Sequence, residues 1–310
     1  MGIVVIGAVF VDIKGFPEDH YHPTGRNAGR VEYFHGGVSR NVAEDIANVE
    51  LRPTFVSIVD DTPLGTSVVD KLRSHKVDTR YILTIPDGMG TYLAILNETG
   101  DLAGSISKRP NMMPLLELLE QQGDEIISQA ESVVLELDLD KEIVKKTLDL
   151  AEKYQKKVFA LVSNMTIAAK RRDFLQRLDC FICNQEEAGI LFLDDYLDKS
   201  PEEMRDILQR KVLQAQFPSM VVTMGTQGAV YADCQGHNGI CPARSVQVVD
   251  TTGAGDAFCA GVSIGLTYGK DLSQAVEMGT YLAASVITSA ESVCPRFHPR
   301  ELGLDMDISS

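Results

Sequence analysis

The stretch Asp250-Thr251-Thr252-Gly253-Ala254-Gly255-Asp256-Ala257-Phe258-Cys259-Ala260-Gly261 joins a glycine-rich turn to a helix start and sets one carboxylate at the junction. Ahead of it, Ser245 to Val249 alternates and is rich in valine, which predicts a strand. Behind it, Ala257 to Leu266 is small and apolar, which predicts a buried helix. Gly253, Ala254 and Gly255 carry almost no side chain, so the unpaired N–H groups of the helix start lie open to an anion. The helix dipole adds about half a positive charge at that point. Such a turn suits the charge that develops on a γ-phosphoryl group during transfer. Asp256 has two readings. An acid in a first helical turn favours the dipole, whereas a carboxylate beside an anion site is a general base for a substrate hydroxyl. The glycine-rich setting favours the base.

Outward from this turn, strand-like and helix-like segments alternate. Ile3 to Ile6 leads to a helix at about Val38 to Val49, and Thr54 to Val59 to a helix at Leu64 to Ser74. Later pairs are Ser132 to Leu137 with Lys141 to Tyr154, Lys157 to Val162 with Ile167 to Leu178, and Cys180 to Cys183 with Glu186 to Leu193. The rhythm predicts an α/β chain with a central, mostly parallel sheet flanked by helices. Arg80 to Ser107 departs from it: Tyr81 to Ile85, Tyr92 to Leu96 and Leu102 to Ile106 are short strands with no helix between them. With Val11 to Phe34 they predict a small antiparallel β lid, in insertions at about 11–35 and 80–107 of a single domain spanning 1–310. An exposed small sheet is prone to association, which predicts a homodimer through the lid; a monomer whose lid opens and closes is the other reading.

Competing phosphate motifs are absent. The chain has no Gly-x-x-x-x-Gly-Lys-Ser/Thr, and Gly7-Ala8-Val9-Phe10 after the first strand is not the dinucleotide fingerprint. Protein-kinase motifs are missing as well. With 310 residues, 44% of them hydrophobic, the chain is long enough to bury a large core. Its net charge of -15 disfavours nucleic acid and anionic membrane as partners. No apolar run reaches a membrane span, and the first residues lack the features of a signal peptide, so a cytoplasmic location is expected. Cys180 and Cys183 form a C-x-x-C, but Phe181 and Ile182 between them predict a buried strand. Residues three apart then point to opposite faces, and no metal is expected there.

The run at 250–261, together with Gly36-Gly37-Val38-Ser39-Arg40-Asn41, resembles the two hallmarks of the ribokinase-like (PfkB) family of carbohydrate and nucleoside kinases, and the resemblance extends from Ile3 to about Pro295. It implies a ribokinase-like fold and phosphoryl transfer from ATP, with Mg2+, to a primary hydroxyl of a small sugar or nucleoside. It also implies that Asp256 is the catalytic base and that the backbone of Gly253, Ala254 and Gly255 is the anion hole. Within the family, Val11 to Gly15, Gly36 to Glu44 and Thr91 to Gly100 look most like the pseudouridine-kinase branch.

Further residues take roles by position. Asp12 follows the first strand, at the sheet edge where ligands of open α/β folds bind; it is read either as a turn residue or as an acceptor for sugar hydroxyls. Gly36 and Gly37 let a ligand approach the backbone, and Asn41 offers a donor and an acceptor. The resemblance assigns Asp12, Gly37 and Asn41 to the substrate. Asn184 and Glu187 match the family's Asn-x-x-Glu, which orders magnesium and phosphate largely through water; on the residues alone, Glu186 and Glu187 are first-turn acids. Thr223, Gly225 and Gly228 match a nucleotide-lining segment and also suit a hairpin turn. Thr252 is expected at the nucleotide. Asp250, the Thr252 backbone and about Ala284 to Ser292 match a monovalent-cation site, where K+ is a possible activator and Glu291 replaces a small residue. Three positions depart from the pseudouridine pattern: Phe10, Leu161-Val162-Ser163 and Ser107-Lys108. Phe10 is read as a stacking surface for a base or sugar. Lys108 and Arg109 are read as solvated charge or as contacts to an anionic sugar. A sensor that binds sugar or nucleotide without catalysis is the alternative from another class, and a kinase of a ketose or sugar acid is the alternative within the class.

Overall fold

Alternate residues of β1 (Ile3–Ile6) enter two different cores: Val4 and Ile6 one, Ile3 and Val5 the other. A strand buried on both faces must lie inside a sheet covered on both sides. From β1 the chain leaves as β2 (Phe10–Pro17), returns as β3 (Gly29–Gly36), and enters α1 (Val38–Asn48), β4 (Thr54–Val59) and α2 (Pro63–Ser74). Thr62 caps α2, its hydroxyl accepting from Gly65 N with Pro63 in the first turn. Next come β5 (Ile82–Thr84), β6 (Gly90–Leu96), β7 (Leu102–Lys108), α3 (Met113–Ser128), β8 (Ser132–Glu136), α4 (Lys141–Lys153) and β9 (Lys157–Leu161). The chain continues through α5 (Met165–Ala168), α6 (Arg172–Leu175), β10 (Cys180–Asn184), α7 (Gln185–Phe192), α8 (Pro201–Ala215), β11 (Ser219–Thr223), β12 (Ala229–Asp233) and β13 (Asn238–Cys241). It ends in α9 (Ala254–Thr267) and α10 (Leu272–Val286). This computed structural model describes residues 2–304.

Nine strands form the main sheet in the order β13-β12-β11-β10-β9-β8-β1-β4-β5. All pairings from β5 to β11 are parallel, and β12 and β13 add an antiparallel edge. The main sheet is therefore the central, mostly parallel α/β sheet that the sequence predicts. Parallel strands end at a common edge, and loops from that edge converge. Beside the main sheet stands a second one, β3-β2-β6-β7, whose outer pairs are antiparallel and whose central pair, β2 with β6, is parallel.

Below the convergent edge, the buried Glu136 carboxylate ties four segments together. It accepts from Ala8 N and Ser39 Oγ, each at 2.9 Å, and from Ser163 Oγ at 3.2 Å. Ser163 also donates to Asp138 through its N–H (2.9 Å) and its hydroxyl (2.8 Å). Burial, with the Asp138 charge beside it, raises the Glu136 carboxyl to about 7. Four donors on two buried carboxylates, the Ser163 hydroxyl shared between them, hold the end of β8 under the site.

Three sequence expectations are corrected. Ser245 to Val249 is not a strand: its valines are exposed by 37%, 53% and 61% at 246, 248 and 249, and Val249 N donates to Ile287 O of the segment after α10 (2.8 Å). Alternation reports a two-sided environment and supplies no pairing partner. The helix expected over Ile167 to Leu178 is two short helices, because the chain turns at Arg171, whose guanidinium donates to the carbonyls of Leu137 and Leu139. Ile82–Thr84, expected with the lid, pairs with β4 in the main sheet. The C-x-x-C behaves as read: Cys180 and Cys183 face opposite cores and are free thiols.

Candidate active site

Gly253 is the cap residue of α9 and sits at φ +82°, a left-handed backbone that L side chains resist. A Cβ there would also strike the Ser292 carbonyl. The first helical bond runs from Ala257 N to Gly253 O (2.9 Å), so the Gly255 and Asp256 N–H groups precede it and face out of the helix end. Against this end opens a cleft of about 520 Å³, lined by Thr223, Gly225, Gly228, Thr251, Ala254 and Gly255 among others. Its walls are largely apolar, with Val246, Val248, Phe258, Ala283, Ala284 and Ile287 among them. Ser245, Val246 and Val248 thus line the cleft. Gly225 (φ +56°) and Gly228 (φ +97°) make the turn between the antiparallel β11 and β12, so they are hairpin residues and cleft residues at once.

On the other side of the α9 start, Asn41 Nδ2 donates to Asp256 Oδ2 at 2.6 Å, and Ser292 Oγ donates to Asn41 Oδ1 at 3.4 Å. Burial pushes the Asp256 carboxyl up to about 7; the Asn41 bond and the Arg40 charge oppose this, while Glu187 and Asp12 add to it. Asp12, Glu187, Arg40 and Asp256 therefore share one electrostatic neighbourhood. Asp12 is raised by burial against the lowering charges of Lys14 and Arg40. Its carboxylate lies on Gly36, where an added Cβ would come within 2.5 Å of Oδ1. Gly37 (φ +99°) opens α1.

The small sheet's register defines what stands beside Asp12. Phe34 of β3 and Tyr92 of β6 are its direct partners, so both rings project from the Asp12 face. Lys14 shares that face, its Nζ 5.0 Å from the Phe34 ring centre, and its charge reaches Asp250 near the start of α9. Phe10 does not stand free as a stacking surface. Its ring fills the space over Gly90 and packs against the core.

Asn184 and Glu187 form a capping box on α7: Asn184 Oδ1 accepts from Glu187 N, and Glu187 Oε2 accepts from Asn184 N, both at 2.8 Å. Burial, then the charges of Asp138 and Glu186, raise the Glu187 carboxyl. Among the described residues no three His, Cys, Asp or Glu side chains gather to hold a metal. The donor set fits a hydrated Mg2+ arriving with phosphate, since one Glu187 oxygen is taken by the cap and the acids around it favour a nearby cation. Asp250 Oδ1 accepts from Thr252 N at 2.9 Å, a bond that heads the causes holding its carboxyl below the ordinary range. Asn184 and Thr252 do not line the apolar cleft; they stand at exposed element ends near it. Lys108 pairs with Asp87, and Arg109 with Asp138 (3.1 Å), so both cations have protein partners.

Sequence reasoning gave no role to Arg40, Phe34 or Tyr92, and placed Ser292 only at the end of the segment matched to a cation site. The signal for Arg40 was its spacing of four from Glu44; for Phe34 and Tyr92 it was the strand register, which one chain's pattern leaves open.

Similarity to known proteins agrees with this geometry. The profile of the pfkB family carbohydrate kinases matches residues 2–295. The chain is 34% identical over 297 residues to the guanosine-inosine kinase of Exiguobacterium acetylicum, covering 94% of this chain and 95% of that protein. It is 26% identical over 263 residues to the pseudouridine kinase of Escherichia coli (strain K12), covering 84% and 82%. Among solved structures, Arabidopsis thaliana ribokinase complexed with ribose and ATP matches over 97% of each chain, with a TM-score of 0.82 at 19% identity.

Proposed function

The chain belongs to the pfkB family of carbohydrate kinases, and from that premise we propose that it transfers the γ-phosphoryl group of ATP to the primary hydroxyl of a nucleoside. It is a phosphotransferase with an alcohol group as acceptor. The observation that carries the finer reading is the Asn41–Asp256 bond at the open end of α9, between the large cleft and the Asp12 face. In this reading the triphosphate enters from the cleft, with its terminal phosphate at the Gly253–Gly255 amides. The acceptor lies on Asp12, Gly36, Gly37 and Asn41. Asp256 takes the hydroxyl proton as the oxygen attacks phosphorus, and the α9 amides meet the charge that develops. Magnesium, when bound with the nucleotide, neutralises phosphate charge; Asn184 and Glu187 would hold its water. Asp250 and the Thr252 backbone are the place a potassium ion would take.

A nucleoside is preferred to a free sugar because Phe34 and Tyr92 flank Asp12 and offer ring faces to a base. Both curated relatives named above carry a nucleoside in their names, and the greater identity to the guanosine-inosine kinase makes a 6-oxopurine nucleoside the first acceptor to test. Pseudouridine is the second reading, supported by Val11 to Gly15 and Thr91 to Gly100. Measuring ADP release with guanosine, inosine, pseudouridine, adenosine and ribose decides between them. ADP release with none of these would favour a non-catalytic sensor or a kinase of another sugar.

The lid's other face carries Tyr33, Ile13, Leu93 and Ile106 in one row, with Tyr33 exposed by 58% and Ile106 by 69%. We read this face as the homodimer contact. No described helix is long and apolar enough to cross a membrane. The buried free thiols fit a reducing compartment, and we place the enzyme in the cytoplasm.

A further inference from the structure

Arg40 is a cation buried beside the acceptor site, with its side chain only 1% exposed. An arginine taken this far out of water is costly unless every arm of its fork is used. Here each arm has a partner. Nη1 donates to Glu44 Oε2 at 2.8 Å, Nη2 to the His35 carbonyl, and Nε, more weakly, to the Gly36 carbonyl at 3.4 Å. These carbonyls end β3, the strand by which the small sheet returns to the main body. Gly36 is also the surface on which the Asp12 carboxylate lies.

Glu44, fully buried, is shared. Lys71 Nζ stands 3.3 Å and His75 Nε2 3.4 Å from its Oε1, both from the α2 side. Burial raises the carboxyl of Asp45, next along α1, well above the ordinary carboxylate range, and its Oδ1 accepts from Cys294 N at 2.6 Å. Arg40 and Lys71 both face this one carboxylate, and the Arg40 charge also acts on Asp12 and Asp256, opposing the rise that burial gives each. An ordinary helix-surface pair four residues apart does none of this.

We propose that Arg40 is a positioning residue for the acceptor: its guanidinium, braced by Glu44, fixes the His35–Gly36 wall and with it the seat of Asp12. The proposal rests on the kinase reading above. It assigns Arg40 no contact with nucleotide, which enters from the far side of α9.

Three variants test it. Arg40→Lys keeps the charge and loses the fork. Arg40→Met/Glu44→Met removes the pair with similar volume and strands no arginine or glutamate charge. Glu44→Gln weakens the brace and leaves the guanidinium on the two carbonyls. Steady-state kinetics with nucleoside and ATP varied in turn should show the acceptor KM raised on the order of tenfold or more in the first two variants, since small misplacements near a site act at this scale. KM for ATP should stay at the wild-type value. Glu44→Gln should keep a near-normal acceptor KM even where its melting temperature falls. An unchanged acceptor KM in Arg40→Lys, or an ATP KM that rises in step, overturns the assignment while leaving the kinase reading intact. A wild-type protein that consumes no acceptor overturns both together, and that result precedes any variant.

Discussion

Asn41 and Asp256 lie 215 positions apart in sequence and 2.6 Å apart in space. The bond joins the first helix after the small sheet to the helix whose N-terminus faces the cleft. It holds the carboxylate with one oxygen engaged and the other available for a substrate proton.

Replacing Asp256 by Asn should lower kcat by about 10²- to 10⁴-fold, the usual worth of one proton-transfer group. The amide still accepts from Asn41, so a fluorescent ATP analogue should bind with near-normal affinity. Wild-type turnover in this variant would remove Asp256 from the chemistry.

The same carboxyl links activity and stability to pH with opposite signs. Its folded pKa of about 7 lies above the ordinary 3.8, so the folded chain keeps a proton that the unfolded chain has lost. The resulting stabilisation is complete below about pH 4 and is lost as pH rises through 7. Catalysis needs the ionised form and should rise across that upper range. Asp256→Asn is therefore expected to melt higher than wild type at pH 8, with the gap narrowing through pH 5 and closing only below about pH 4. A constant gap in scanning calorimetry would count against the raised pKa.

Gly253→Ala places a methyl group in a left-handed backbone and into the Ser292 carbonyl. The conformational term alone is about 1–2 kcal/mol. Because the strain falls on the anion site, ATP turnover should fall further than the melting temperature suggests, while nucleoside affinity measured by calorimetry holds.

Phe34→Ala removes a ring from the Asp12 face without touching the main core. KM for nucleoside should rise by roughly five- to tenfold, as expected for about 1–1.5 kcal/mol of lost aromatic contact. KM for ribose, if ribose is accepted at all, should not move. Parallel changes in the two would argue that no base stacks there.

Ile106→Glu sets a charge into the exposed row of the small sheet. If that row is the homodimer contact, light scattering should show a shift from dimer to monomer. A wild-type monomer at working concentration would sink the contact outright.

The α9 turn was legible in sequence because its chemistry is backbone chemistry: three small residues and one acid define it without help from distant parts. The strand–helix rhythm was legible for a similar reason, since each segment's period reflects its own burial. Ser245 to Val249 misled because alternation also suits a run with one side on a cleft and one in water. Nothing in the spacing of Arg40 and Glu44 marks them as buried; the packing of α9 and the 292–294 segment on α1, with Lys71 and His75 facing Glu44, does. Phe34 and Tyr92 became neighbours of Asp12 through strand register, which is a property of three segments at once.

The bridge from Asn41 to Asp256 has a consequence for synthesis. Val42 and Ile46 of α1 share a core with Ala257, Phe258 and Val262 of α9, and Asp45 is held by Cys294, so the acceptor's seat and its proton acceptor are completed together. A nascent chain stalled before residue 250 would therefore lack both, and acceptor binding and phosphorylation arise in one step.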